Sequence, residues 1–167
     1  ILRAGRSLPV AFQDGRDLKA RENMSLVSLF GGLALANAGL GAVHGIAGPL
    51  GGMFPAPHGA ICGRLLPYVM AANVKALKRH APHVQALYRY DEVAQMLTGR
   101  ANAHAADAVS WAEDLCADLQ MIPLSTFSVK PSLFPEVVAK AQKASSMQGN
   151  PIRLTDEELL YILEKAQ

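Results

Sequence analysis

Residues 37–60 read NAGLGAVHGIAGPLGGMFPAPHGA. This segment lies within a longer stretch, 24–63, that contains no Asp, Glu, Lys or Arg, and ten of the fourteen glycines fall between Gly31 and Gly63. Pro55 and Pro57 mark a turn between two apolar segments. We therefore expect a pair of apolar helices, over 24–36 and 41–51, buried at the centre of a globular bundle, where small residues allow close backbone approach.

The rest of the sequence predicts further helices with recognisable ends. Asp17 is suited to cap one helix, and Thr155 with Glu158 forms a capping box at the last one. No segment shows the alternating pattern of a strand. The predicted helices cover 2–13, 18–36, 41–51, 58–80, 82–98, 103–119, 135–145 and 156–166. The fold class is all-α, a multi-helix bundle in a single domain over 1–167.

Composition and charge exclude several classes of partner. The net charge of +2 is too small to indicate a nucleic-acid partner by electrostatics alone, and the basic residues from Arg64 to Arg89 are interpreted as a solvated face. The uncharged stretch is long enough for a membrane span, but Asn37, His44 and repeated glycine disfavour one. Cys62 and Cys116 stand far apart without a CxxC motif, which predicts a reducing, cytoplasmic compartment.

Two histidines, His44 and His58, lie within the uncharged stretch, fourteen residues apart. The Gly/Pro turn between them can bring both imidazoles together, and imidazole is a common ligand of borderline divalent metals. A complete site needs three or four ligands, and no carboxylate lies between Glu22 and Asp91. The residues alone thus leave two alternatives open: half of a metal site, or two structural histidines that satisfy hydrogen bonds.

The stretch from Asn37 to Ala60, with both histidines in place, resembles the signature of the iron-containing (group III) alcohol dehydrogenases. The resemblance continues through 65–67 and 145–151, over essentially the whole chain. In that family, an N-terminal α/β domain binds NAD or NADP. An all-helical C-terminal domain, similar to that of dehydroquinate synthase, holds a divalent metal. The resemblance implies that 1–167 is this C-terminal, metal-binding domain and that the nucleotide-binding domain is absent from the chain.

The family's metal is Fe²⁺ in most members and Zn²⁺ in some. The resemblance implies that His44 and His58 are two of its ligands. The other two, an Asp and a His of a D-x-x-x-H helix, would lie upstream of Ile1, because no such pair occurs in residues 1–43. The cofactor-binding residues are not identified, because the resemblance places them mainly in the absent domain.

The chain departs from the family pattern at Gly48, where many members carry a second histidine near the nicotinamide. Any proton relay would then use another group or water. The departure also weakens the expectation that the substrate is an ordinary primary alcohol. Met53 and Phe54, just before His58, are candidates for an apolar substrate wall or for simple packing.

The resemblance implies part of an NAD(P)-linked enzyme that interconverts alcohols with aldehydes or ketones by hydride transfer. The implied partners are a small alcohol or carbonyl substrate and the enzyme's own N-terminal domain, with no nucleic acid and no membrane; a homodimer is left open. The alternative is a non-catalytic helical scaffold or interaction domain with the same fold. In either case, we expect the chain by itself to be inactive.

Overall fold

The computed structural model describes residues 1–167 and contains helices but no strand, which confirms the all-α prediction. Three short 3₁₀ segments, which the sequence patterns did not indicate, connect the later helices: Leu124–Phe127, Pro131–Leu133 and Ser145–Gly149. The eight α-helices are α1 (Leu2–Gln13), α2 (Leu18–Ala38), α3 (Ala42–Met53), α4 (His58–His80), α5 (Gln85–Thr98), α6 (Ala105–Asp118), α7 (Phe134–Ala141) and α8 (Asp156–Lys165).

The main core joins α3, α4, α7 and α8. Its fully buried side chains include Ile46 and Leu50 of α3, Ile61 and Leu65 of α4, and Ile162 of α8. Burying an aliphatic side chain of this size contributes about 1.5–3 kcal/mol. The core therefore fixes α3 against α4, the two helices that carry the paired histidines.

A smaller cluster lies beside the main core, where α5 and α6 pack on each other and on α4. It is built from small residues, with Ala94, Ala103 and Ala108 fully buried and Met70 packed against them. Because α4 takes part in both clusters, it is the central element of the molecule.

The prediction that both helices of the uncharged stretch are buried is wrong for one of them. Helix α3 lies in the core, but α2 packs on α1 and only Ala20 of α2 is buried. In its second half, the apolar side chains of Leu29, Phe30 and Leu33 are 58%, 53% and 54% exposed. An uncharged sequence predicts that a helix has an apolar surface. Whether that surface is buried depends on which other helices pack against it.

Most helix ends agree with the sequence signals. Asp17 accepts the Ala20 N–H at the start of α2, and Gly39 ends this helix with φ 72°. The start predicted at Pro82 is wrong, because residues 81–84 form a turn closed by the Val84 N–H on the Ala81 carbonyl. Ala81 is non-helical, as expected for a residue before proline, and α5 begins only at Gln85.

No single helix combines the length and apolar composition that crossing a membrane requires. Helices α2 and α3 meet these two criteria only when taken together, and a bend of 100° separates them.

Candidate metal centre

The structure brings the two predicted histidines together. His44 lies in the first turn of α3, and His58 is the first residue of α4. The intervening turn, 54–57, reverses the chain so that the ring centroids are 5.4 Å apart with their planes tilted by 48°. His44 is half-buried and His58 is exposed, so the pair lies at the surface rather than within the core.

A third potential ligand, Cys62, joins the pair. Its Sγ atom lies 3.4 Å from Nε2 of His58, and the ligand atoms of all three residues are within 4.8 Å of one another. Reasoning from the sequence missed this residue, although the signal was present: Cys62 follows His58 by four residues in a predicted helix, which places both on one face. No carboxylate belongs to the cluster.

The environment favours the neutral form of His44. Partial burial lowers the pKa of His44, and the neighbouring His58 lowers it further. His44 also lies in the first turn of α3, where the partial positive charge of the helix N-terminus disfavours its imidazolium form. Burial raises the pKa of the Cys62 thiol. The site therefore presents at least one neutral nitrogen donor, the form that a metal ion binds.

An asparagine pair fixes the start of α3 relative to α4. Asn150 accepts the backbone N–H of Ala42 with Oδ1 (3.1 Å) and donates to Oδ1 of Asn73 on α4 (2.7 Å). Asn150 also donates to the Ile152 carbonyl, and Asn73 donates back to Asn150. The first turn of α3, which contains His44, is thus tied to the helix that begins at His58.

Two glycines pack closely around this asparagine pair, and at Gly149 the close approach requires glycine. A Cβ atom on Gly149 would collide with the backbone carbonyl of Leu40, and one on Gly41 would lie 3.0 Å from Oδ1 of Asn150. These close approaches seat Asn150 over the N-terminus of α3. Two of the chain's glycines thereby support the site without being part of it.

The other predicted positions differ in their surroundings. Gly48 lies one turn after His44 on α3 and is exposed, with no atom within 4 Å of where a Cβ would stand. Met53 and Phe54 are half-buried and pack against the main core. A cleft of about 620 Å³ is lined by His44, Cys62 and the asparagine pair, but not by Met53 or Phe54. The substrate-wall role of these two residues stays a prediction.

Comparison with known sequences identifies relatives along almost the whole chain. Residues 3–167 match the family described as "Fe-containing alcohol dehydrogenase family, C-terminal". The 1,3-propanediol dehydrogenase of Klebsiella pneumoniae is 34% identical over 164 residues, 96% of this chain and 41% of the relative. Alcohol dehydrogenase 4 of Saccharomyces cerevisiae is 32% identical over 162 residues, 96% of this chain and 40% of the relative.

Solved structures give the same result for the fold. A crystal structure of a 1,3-propanediol oxidoreductase superposes with a TM-score of 0.87 at 29% identity, covering 99% of this chain and 43% of that one. An archaeal alcohol dehydrogenase from a Red Sea brine pool gives 0.86 at 25% identity, covering 99% and 42%. The chain therefore spans about two fifths of the length of the relatives that it matches.

Proposed function

The chain belongs to the iron-containing alcohol dehydrogenase family, whose C-terminal region it matches, and from this premise we propose that it is the metal-binding domain of an NAD(P)-linked alcohol dehydrogenase. His44 and His58 supply two ligands of a divalent metal, Fe²⁺ by the family's name and Zn²⁺ as the second candidate. The single observation that carries this proposal is the facing imidazole pair, held from two separate helices by a rigid core.

The residues present fit such an ion. Two imidazoles and a thiol offer donors within 4.8 Å of one another, and the pKa of His44 is lowered by burial, so that its neutral form is favoured. When bound, the ion supplies Lewis-acid polarisation of an alcohol or carbonyl oxygen for hydride transfer with a nicotinamide. His44 and His58 would hold the ion, and the core packed behind them keeps both rings in place.

Because residue 48 is glycine, the proposed function needs a proton acceptor from outside α3. With no side chain one turn from His44 and open space beside it, α3 offers no group that takes up the alcohol proton there. Another group or water takes that role in this proposal. We propose a small alcohol or carbonyl compound as the substrate; Met53 and Phe54 stay candidates for its apolar wall, with packing against the core as the alternative.

The nucleotide and the remaining ligands come from a partner domain in this proposal. The described residues include no strand, so the strand-and-helix fold that commonly binds a dinucleotide is not among them. The second half of α2, where Leu29, Phe30 and Leu33 are exposed, supports docking of such a domain, because exposed apolar surface marks interaction sites.

Metal affinity of the purified chain tests the ligand assignment. Fe²⁺ and Zn²⁺ affinities are measured under anaerobic conditions by competition with a chromogenic chelator, for the unsubstituted chain, His44→Ala and His58→Ala. Each substitution removes a nitrogen donor, so we expect affinity to fall more than about tenfold. Helix content by circular dichroism should stay unchanged, because neither side chain belongs to the core.

His83→Ala is the matched control, since His83 is an exposed histidine outside the cluster. Its affinity should equal that of the unsubstituted chain. If both His44→Ala and His58→Ala keep full affinity but lose about 1–3 kcal/mol of stability, the two histidines are structural and the proposal is wrong. That outcome favours the alternative of a non-catalytic helical scaffold.

A further inference from the structure

Building on the proposed function, we propose that Cys62 is a third protein ligand of the metal centre and that its sulfur gives the site a preference for Zn²⁺ or Co²⁺ over Fe²⁺. The Sγ atom of Cys62 lies beside His58 and completes, with His44, a cluster of three donors.

One donor–donor distance already resembles that of two ligands on one ion. Two ligands bound to one tetrahedral ion at about 2.3 Å for sulfur and about 2.0 Å for nitrogen are about 3.5 Å apart. The observed separation between Sγ of Cys62 and Nε2 of His58 is 3.4 Å. An ion therefore needs little movement of these two side chains to bind both.

Helix α4 holds His58 and Cys62 in this relative position. His58 and Cys62 are separated by one turn of α4, so their side chains lie on the same face. Ile61 and Leu65, the buried neighbours on that helix, fix its rotation against the core. His44 then approaches from α3, whose first turn is tied to α4 through Asn150 and Asn73.

The ligand chemistry sets the metal preference. On binding, the Cys62 S–H bond breaks, its proton passes to solvent, and a sulfur lone pair forms the metal–sulfur bond without change of oxidation state. Soft thiolate donors favour Zn²⁺, whereas sites of harder ligands suit less thiophilic ions. Cobalt(II) occupies such sites and reports a thiolate directly, through a sulfur-to-cobalt charge-transfer absorption that nitrogen and oxygen ligands do not produce.

The test is a Co²⁺ titration of the purified 167-residue chain, followed by absorption spectroscopy and by chelator competition. We expect the unsubstituted chain to show charge-transfer absorption in the near ultraviolet. Cys62→Ser should abolish this band while leaving weaker cobalt bands from the histidines. The Zn²⁺ affinity of Cys62→Ser should fall by more than its Fe²⁺ affinity. Loss of a residue that only supports a ligand costs about 10–100-fold in metal affinity, and loss of a ligand should cost at least as much.

Cys116→Ser is the matched control, because Cys116 is also half-buried and free but lies outside the cluster. It should retain the band. Bound Co²⁺ without a charge-transfer band, or a band that persists in Cys62→Ser, overturns the assignment of Cys62 and leaves the histidine proposal standing. An undiminished band and affinity in His44→Ala overturns the three-ligand site. No binding of any ion to the unsubstituted chain overturns both proposals.

Discussion

At the scale of single residues, the sequence predicted the parts of the candidate site that depend on residue type and local turns. It did not predict the parts that depend on tertiary packing. The facing of His44 and His58 followed from a Gly/Pro turn between two helical segments, and the structure confirms it. The buried Asn73, only 3% exposed, and its partner Asn150 were not predicted. They are 77 residues apart in the chain, so only the tertiary fold brings them together.

We predict that Asn150→Ala destabilises the chain by about 1–3 kcal/mol. The substitution removes the acceptor for the Ala42 N–H and leaves the buried amide of Asn73 without one of its partners. Urea unfolding should show a lower midpoint with an unchanged slope. Metal affinity should fall as well, because the first turn of α3 holds His44.

Asn102→Ala provides the comparison for this prediction. Asn102 is exposed, so its replacement should change stability by less than about 0.5 kcal/mol. Equal unfolding midpoints for the two variants would show that the asparagine pair does not hold α3 in place.

At the scale of elements, local capping chemistry predicted most boundaries. Thr155 and Glu158 form the expected capping box on α8, and Gly39 ends α2. The burial of α2 was not predictable, because an apolar helix becomes a core helix only if neighbours cover it. The 3₁₀ segments were missed for a related reason, since the pattern of apolar residues does not separate a single tight turn from a connecting loop.

We predict opposite effects for the same added methyl group at two glycines of α2. Gly32 is exposed within the helix and nothing lies within 4 Å of its Cβ position, so Gly32→Ala should stabilise by about 0.5–1 kcal/mol. Gly39 has φ 72° and ψ −164°, a region that only glycine adopts readily, so Gly39→Ala should cost about 1–3 kcal/mol.

Thermal melts followed by circular dichroism measure both glycine variants. Tm should rise for Gly32→Ala and fall for Gly39→Ala. An unchanged or higher Tm for Gly39→Ala would mean that α2 does not end through the backbone geometry of Gly39, and a lower Tm for Gly32→Ala would contradict the helix-propensity argument.

At the scale of the whole molecule, the fold class was predictable because every segment shows helical or turn chemistry and none shows a strand pattern. The candidate metal centre was predictable only in part: the sequence indicated two candidate ligands, and the structure places a third candidate, Cys62, beside them. The assembly that would complete an enzyme was inferred from resemblance, because no pattern within 1–167 indicates a nucleotide site.

We predict that the purified 167-residue chain, loaded with Fe²⁺ or Zn²⁺, does not reduce NAD⁺ or NADP⁺ across a panel of primary, secondary and diol substrates. In the proposed function two imidazoles and one thiol hold an ion, but hydride transfer also needs a nicotinamide fixed beside that ion. The regular structure of the described residues is entirely helical, without the strands of a common dinucleotide-binding fold. The assay follows nicotinamide absorbance, with the full-length 1,3-propanediol dehydrogenase of Klebsiella pneumoniae as the positive control. Turnover by the chain above a metal-only blank would contradict the prediction. It would also place a nucleotide site among these helices, where the cleft beside His44 would be the first region to probe by substitution.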